Sequence, residues 1–235
     1  MADSANAVDE SSVPTALPLP YHRIFDPSLD AKYNKIPADE LIVNNQVKKV
    51  FQLQMQDPST GALRFDSGTV VMQICTVSNC RFRTPRRRRN SDPKAAWGLY
   101  VYGNSPYNAN GLVADALPQT TAFSSMDAIS RALDFIGYMA SLHHSLCDFK
   151  IVSNCSWAAQ VLSFWAERLA KNDGVQQPGM PLTRYTRIKQ VNDKFHAMEN
   201  RGIKIQFWFT KTFRLKETRA LAKVGLKGHK RGPQV

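Results

Sequence analysis

The sequence predicts an α/β fold in which helices cover both faces of a mixed sheet. Its 235 residues, 43% of them apolar, suffice for one domain with a substantial core. Strand candidates follow one another in the first half of the chain, whereas strands alternate with helices in the second half. Consecutive strands favour antiparallel pairing, and strands separated by helices favour parallel crossovers. We therefore expect a five-stranded sheet with three antiparallel strands followed by parallel ones.

The first half of the chain supplies a run of strands. Alternating side chains predict a strand over Val47–Met55, and the apolar run Thr69–Thr76 predicts a buried one. Trp97–Tyr102 is a further strand candidate, and Leu112–Leu117 is a weaker one. The first of these four lies outside the predicted five-stranded core, which begins at residue 69.

The second half of the chain alternates between the two kinds of element. Its most informative stretch is Phe149–Trp165, where a short apolar strand runs directly into a helix with N-cap chemistry at Asn154 and Ser156. The four tryptophans all fall in predicted core elements. The remaining predictions are, in chain order, an amphipathic helix over Ala122–Leu142, a helix over Leu182–Asn200 that ends at Gly202, a strand over Ile203–Phe209 and a helix over Leu215–Leu226.

The ends of the chain differ in composition from its middle. Residues 1–45 are rich in proline, alanine and serine and predict a disordered or loosely packed extension. The domain is then expected over 46–226, with its core over 69–226, and 227–235 form a basic tail. The first residues do not resemble a secretory signal, and no run of 18 apolar residues predicts a membrane span. The four cysteines lack zinc-finger spacing, so we expect reduced thiols in an intracellular protein of nucleus or cytoplasm.

The net charge of +12 is concentrated in two segments. Residues 81–94 hold seven lysines and arginines, and residues 211–231 hold eight. Such clusters suit the phosphate backbone of a nucleic acid, although solubilising charge or a nuclear-import signal has the same composition. The residues predicted to contact nucleic acid are Arg81, Arg83, Arg86, Arg87, Arg88, Arg89, Lys94, Lys211, Arg214, Lys216 and Arg219.

Several runs resemble the ribonuclease H family of the type-1, fungal kind. Ile151–Ala158 resembles the junction of its fourth strand and second helix, and Ala95–Tyr100 resembles its second strand. Phe207–Phe209 and Ala220–Lys223 resemble its last strand and last helix. The resemblance runs from Thr69 to Leu226 and implies the same mixed sheet. It also implies an enzyme that cuts the RNA strand of an RNA–DNA hybrid with two divalent metal ions held by four carboxylates.

The four carboxylate positions of the family can be followed onto this chain one at a time. Matching its motifs places Val77, Ser125, Asn154 and Arg219 at those positions. Since none of these residues carries a carboxylate, the sequence predicts a degenerate site without catalytic residues, bound metal or cofactor.

Three functions are compatible with this pattern. The first is a non-catalytic ribonuclease H-like protein that binds RNA or an RNA–DNA hybrid. The second is an active hybrid ribonuclease that holds Mg²⁺ through non-standard residues. The third is a protein-interaction module that keeps only the fold. No Ser-His-Asp arrangement, glycine-rich phosphate loop or HExxH motif indicates another enzyme class.

Overall fold

The computed structural model describes residues 23–57, 59–78, 94–172, 174–177, 180–181, 184–209 and 215–228. These residues form ten strands and five α-helices. The strands are β1 (Ile42–Asn45), β2 (Val50–Gln56), β3 (Leu63–Phe65), β4 (Thr69–Ser78), β5 (Ala95–Tyr100), β6 (Ala109–Leu112), β7 (Asp148–Ser153), β8 (Val175–Gln177), β9 (Met180–Pro181) and β10 (Lys204–Phe209). The helices are α1 (Thr121–Leu142), α2 (Ser156–Gln160), α3 (Ala166–Lys171), α4 (Tyr185–Glu199) and α5 (Lys216–Gly228), and a π-helical turn over Val161–Trp165 joins α2 to α3.

Five strands form the predicted mixed sheet, in the spatial order β6-β5-β4-β7-β10. β5 is antiparallel to both β4 and β6. On its other side β4 is parallel to β7, which is parallel to β10. The predicted α/β fold and the orientation of its strands are therefore confirmed.

The sheet is larger than the five strands expected from the sequence. β2 meets β4 in antiparallel orientation at the pair Phe51–Val71, and β1 and β3 both pair with β2. Both strands are short, β1 is only partly buried and β3 is exposed, so they lack the apolar pattern by which a strand is recognised in a sequence.

The third of the antiparallel strands, β6, is shifted from its predicted position. The apolar residues of Leu112–Leu117 predict a strand there, but β6 ends at Leu112 and the following residues form a turn closed by Leu117 N–H donating to the Ala114 carbonyl. The amide of Gln119 donates to carbonyls of this turn and holds it. Gly111 is required inside β6, because a Cβ there would lie 2.7 Å from the ring of Trp97.

One face of the sheet is covered by α1 and α4. Ile129, Leu133 and Ile136 of α1 are buried against Met72 and Ile74 of β4, as the helical spacing predicts. Thr120 caps α1 by accepting a hydrogen bond from the backbone N–H of Phe123. α4 buries Ile188, Val191 and Phe195 in the same core cluster.

The prediction for residues 1–45 differs from the structure over 23–45. Phe25, Tyr33 and Leu41 are buried in a second core cluster on the opposite face of the sheet. Ile24 forms a parallel bridge with Phe207, so this segment crosses the outer edge of β10. The prediction missed it because its apolar residues are separated by turns and follow neither a helical nor a strand period.

Arg23 connects residues 23–45 to α4 through hydrogen bonds and an ion pair. Its guanidinium is 2% exposed and donates to both carboxylate oxygens of Glu199, at 2.7 and 2.8 Å. It also donates to Asn192 Oδ1 at 2.7 Å and to the Leu162 carbonyl at 2.8 Å, and lies over the ring of Phe195. A planar guanidinium can satisfy all these acceptors at once, which an ammonium group cannot.

Among the described residues, no helix is both long and apolar enough to cross a membrane.

Replacing Arg23 with alanine should destabilise the protein strongly. The change leaves Glu199 and Asn192 without their buried partner, which typically costs about 3–5 kcal/mol of unfolding free energy. Urea denaturation followed by tryptophan fluorescence measures the loss, and Arg23→Lys should recover only part of it. Lys189→Ala, which removes a solvent-exposed ion pair with Asp193 on the same helix, is the control and should leave the midpoint unchanged. Equal effects of the two alanine variants would contradict the role of Arg23.

Candidate nucleic-acid interface

Val77 and Asn154, two of the predicted site residues, lie where β4 and β7 end. Because the two strands are parallel, their carboxyl ends meet at the same edge. Ile74 pairs with Ser153, so Asn154 leaves β7 next to Cys75 of β4. Val77 lies further along β4, opposite Ala96 of β5. The structure thus brings the Asn154 and Val77 positions to one edge.

Arg219 reaches the same part of β4 from the first turn of α5. Burial raises the pKa of the Cys75 thiol, and the nearby positive charge of Arg219 partly opposes that rise. Next to Arg219, the hydroxyl of Thr218 donates to Gln73 Oε1 at 3.1 Å. Side chains alternate along a strand, so Gln73, Cys75 and Val77 all project toward the face that α5 covers. Arg219 itself is exposed.

Ser125 belongs to α1, on the opposite face of the sheet from α5. It is fully buried, and its hydroxyl donates to the Thr121 carbonyl of its own helix at 2.7 Å. Its oxygen is therefore engaged inside the helix rather than directed to a ligand. Asn154 differs, because its side-chain oxygen is buried without a hydrogen-bond donor. A buried acceptor of this kind suits an internal water molecule.

A stacked arginine, absent from the sequence prediction, lies where three helices begin. The guanidinium of Arg184, the residue before α4, lies 5.8 Å from the ring centre of Phe123 and 5.4 Å from that of Trp157. Phe123 is in the first turn of α1 and Trp157 in the first turn of α2. The three residues are far apart in the sequence, so no local pattern could reveal the stack. It places a positive charge against Trp157, three residues after Asn154 in the chain.

Trp165 departs from the prediction that all four tryptophans are core residues. It is 49% exposed, whereas its neighbours Ala166 and Leu169 are buried. The π-helical turn explains the difference, because its wider spacing rotates the following residues by about one position relative to an α-helix.

The remaining predicted contacts divide into two groups. Lys94 forms an ion pair with Asp115, and Lys216 is exposed at the start of α5. The others lie outside the described residues, namely Arg81, Arg83, Arg86, Arg87, Arg88, Arg89, Lys211 and Arg214.

Within the described part of the chain, no three His, Cys, Asp or Glu side chains come together in a way that could hold a metal ion. Asp127, a carboxylate in the first half of α1, pairs with Arg187 of α4. The chemistry available at the edge is therefore that of fixed cations, a neutral amide and an aromatic surface.

Comparison with known proteins gives distant structural similarities. No protein-family model matches the sequence, and neither does any curated protein. A foamy viral protease-reverse transcriptase, solved in complex with dsDNA, matches 66% of this chain and 92% of its own, with 14% identity and a TM-score of 0.48. The PFV RNase H domain aligns with 67% of this chain over 92% of its own length, with 14% identity and a TM-score of 0.47. RNase H1 from Halobacterium salinarum aligns with 68% of this chain over 99% of its own length, with 11% identity and a TM-score of 0.39.

Replacing Gly98 with alanine should push α5 away from the sheet. A Cβ at Gly98 would lie 2.4 Å from the Thr218 carbonyl oxygen and 2.6 Å from the Ala222 nitrogen, both backbone atoms of α5. Overpacking of this kind costs about 1–3 kcal/mol, which denaturant unfolding measures. Gly103→Ala is the matched control, since a Cβ there would meet only the Tyr100 hydroxyl at 3.9 Å. An unchanged stability of the Gly98 variant would mean that α5 is not held against β5 at this point.

Proposed function

We propose that this chain is a non-catalytic ribonuclease H-like protein that binds nucleic acid, either RNA or an RNA–DNA hybrid. The observation that carries the proposal is the chemistry of the four positions at which the family places its carboxylates. They hold Val77, Ser125, Asn154 and Arg219, and one of these is a cation.

The chemistry of these four residues does not suit two-metal catalysis. Hard divalent ions require charged oxygen ligands, and the two ions of such a site must be held together to activate water and stabilise the leaving oxygen. Val77 has no ligating atom in its side chain, and the Ser125 hydroxyl is bound within its own helix. Arg219 would repel a metal ion. The proposal therefore assigns no cleavage to this edge.

The same edge suits binding to a phosphate backbone. Arg219 and Arg184 supply positive charge in the described residues, and the segments rich in arginine and lysine before and after them would add more. Contacts of this kind give affinity without choice of sequence.

Incubation with an end-labelled RNA–DNA hybrid tests the absence of cleavage. The hybrid should stay intact on a denaturing gel with Mg²⁺ or Mn²⁺, at protein concentrations that shift it on a native gel. An active ribonuclease H serves as the positive control, and EDTA lanes identify metal-dependent cutting. EDTA-sensitive cleavage that co-elutes with the protein through successive columns would establish the active-enzyme alternative instead.

Changing Arg86, Arg87, Arg88 and Arg89 together to alanine tests the charge-driven binding. Each lost phosphate contact should reduce the slope of log affinity against log salt by about 0.7–0.9, giving a reduction of up to about 3. Fluorescence anisotropy of a labelled hybrid measures the slope. The titrations are repeated at salt concentrations between about 50 and about 300 mM, where the effect of salt on affinity is large. The control removes four exposed lysines elsewhere, Lys35, Lys48, Lys189 and Lys204. A slope that the arginine changes leave intact would exclude this segment from binding.

A further inference from the structure

We propose that the outer face of α5 is a second contact surface, which holds a run of backbone phosphates of the same nucleic acid beyond the strand edge. The inference rests on the proposed function and extends it to a defined surface. We name this surface the α5 stripe. It consists of Lys216, Arg219, Lys223 and Lys227.

The α5 stripe is a continuous row of exposed cations. All four side chains are exposed, and they follow one another at intervals of three, four and four residues. At 100° and 1.5 Å per residue, they occupy a sector of about 80° over a length of about 16 Å. No acidic residue interrupts the row. Glu217, the acidic residue of α5, lies at the flank, near Tyr100 of β5, where burial raises the pKa of the Tyr100 hydroxyl and the charge of Glu217 adds to the rise.

The opposite face of α5 packs against the sheet. Thr218 and Ala222 are fully buried there, and the missing side chain of Gly98 allows the helix backbone to approach β5 closely. Farther along, Gly225 lies against Asn110 and Gly111 of β6. An amphipathic helix that binds a membrane surface must bury its apolar face in the lipid. That face of α5 is not available, which disfavours a membrane as the partner.

The stripe also lacks the features of a protein-binding surface. Interfaces between proteins are organised around buried aromatic or large apolar residues. Beside the cations lie the exposed Ala220 and Val224 and the partly exposed Leu226, none of them aromatic. A ligand bound here must be recognised through regularly spaced negative charge, which is the property of a phosphate backbone.

The position of the stripe connects it with the strand edge. Arg219 lies close enough to Cys75 for its charge to act on that thiol, at the end of β4. From there α5 crosses β5 beside Gly98 and reaches β6 at Gly225. A nucleic acid held at the edge would therefore continue along the stripe, away from the Asn154 position.

The test compares two triple variants that lose the same net charge. The stripe variant carries Lys216→Ala, Lys223→Ala and Lys227→Ala, and leaves Arg219 in place because it belongs to the strand edge. The control carries Lys35→Ala, Lys48→Ala and Lys204→Ala, all exposed and outside α5. Anisotropy titrations of a labelled RNA–DNA hybrid are repeated over a range of salt concentrations. The stripe variant should reduce the salt slope by about 2–3, at 0.7–0.9 per phosphate contact, and the control by less than half of that.

The outcomes separate this inference from the proposed function. If the unaltered protein binds the hybrid and both variants reduce the salt slope equally, the effect is one of net charge. The role of the α5 stripe is then wrong, while the proposed nucleic-acid binding stands. If the unaltered protein does not bind, both proposals fall. If the stripe changes abolish binding to anionic lipid vesicles but leave hybrid binding intact, the stripe belongs to a membrane and the inference is wrong. Alanine favours helices, so α5 should persist; circular dichroism and a Lys→Gln version of the triple variant verify this.

Discussion

The structure depends on the burial of β4 on both of its faces. β4 is the strand at which antiparallel pairing changes to parallel pairing, and its first seven residues are all buried. A strand in this position needs apolar cover on each side. α1 provides it on one face, and α5 together with residues 23–45 provides it on the other. The strand edge, with Asn154 and Arg219 beside it, lies where these layers end.

The side chains of Val77, Ser125, Asn154 and Arg219 are compatible with the packing of the sheet. Val77 lies near the end of β4 and Asn154 follows β7, whereas Ser125 and Arg219 lie within the first two turns of α1 and α5. Ser125 is satisfied within α1, and Val77 continues the ladder between β4 and β5. No carboxylate is therefore needed at these places for the sheet to form. Asn154 differs from them, because its buried side-chain oxygen has no hydrogen-bond partner among the described residues.

The sequence was sufficient to predict elements with a strong period and a complete apolar face. The start of α1 was predicted within one residue, and β4, β5, β7 and β10 were found close to their observed positions. It was insufficient where structure depends on distant contacts. Residues 23–45 become ordered only by covering Val71 and Trp208, and Arg184 stacks between residues from two other helices. The exposure of Trp165 depends on a π-helical turn that side-chain spacing does not reveal.

The contacts of Arg23 also constrain the order in which the chain can fold. Its acceptors on Leu162 and Glu199 lie 139 and 176 residues later in the sequence. During synthesis, Arg23 therefore cannot form all of these hydrogen bonds until α4 has emerged from the ribosome. Until then Phe25, Tyr33 and their partners on the sheet remain exposed as apolar surface. Long-range closure of this kind slows folding and leaves the nascent chain open to aggregation, so this protein should rely on chaperones more than a domain of its size with local contacts.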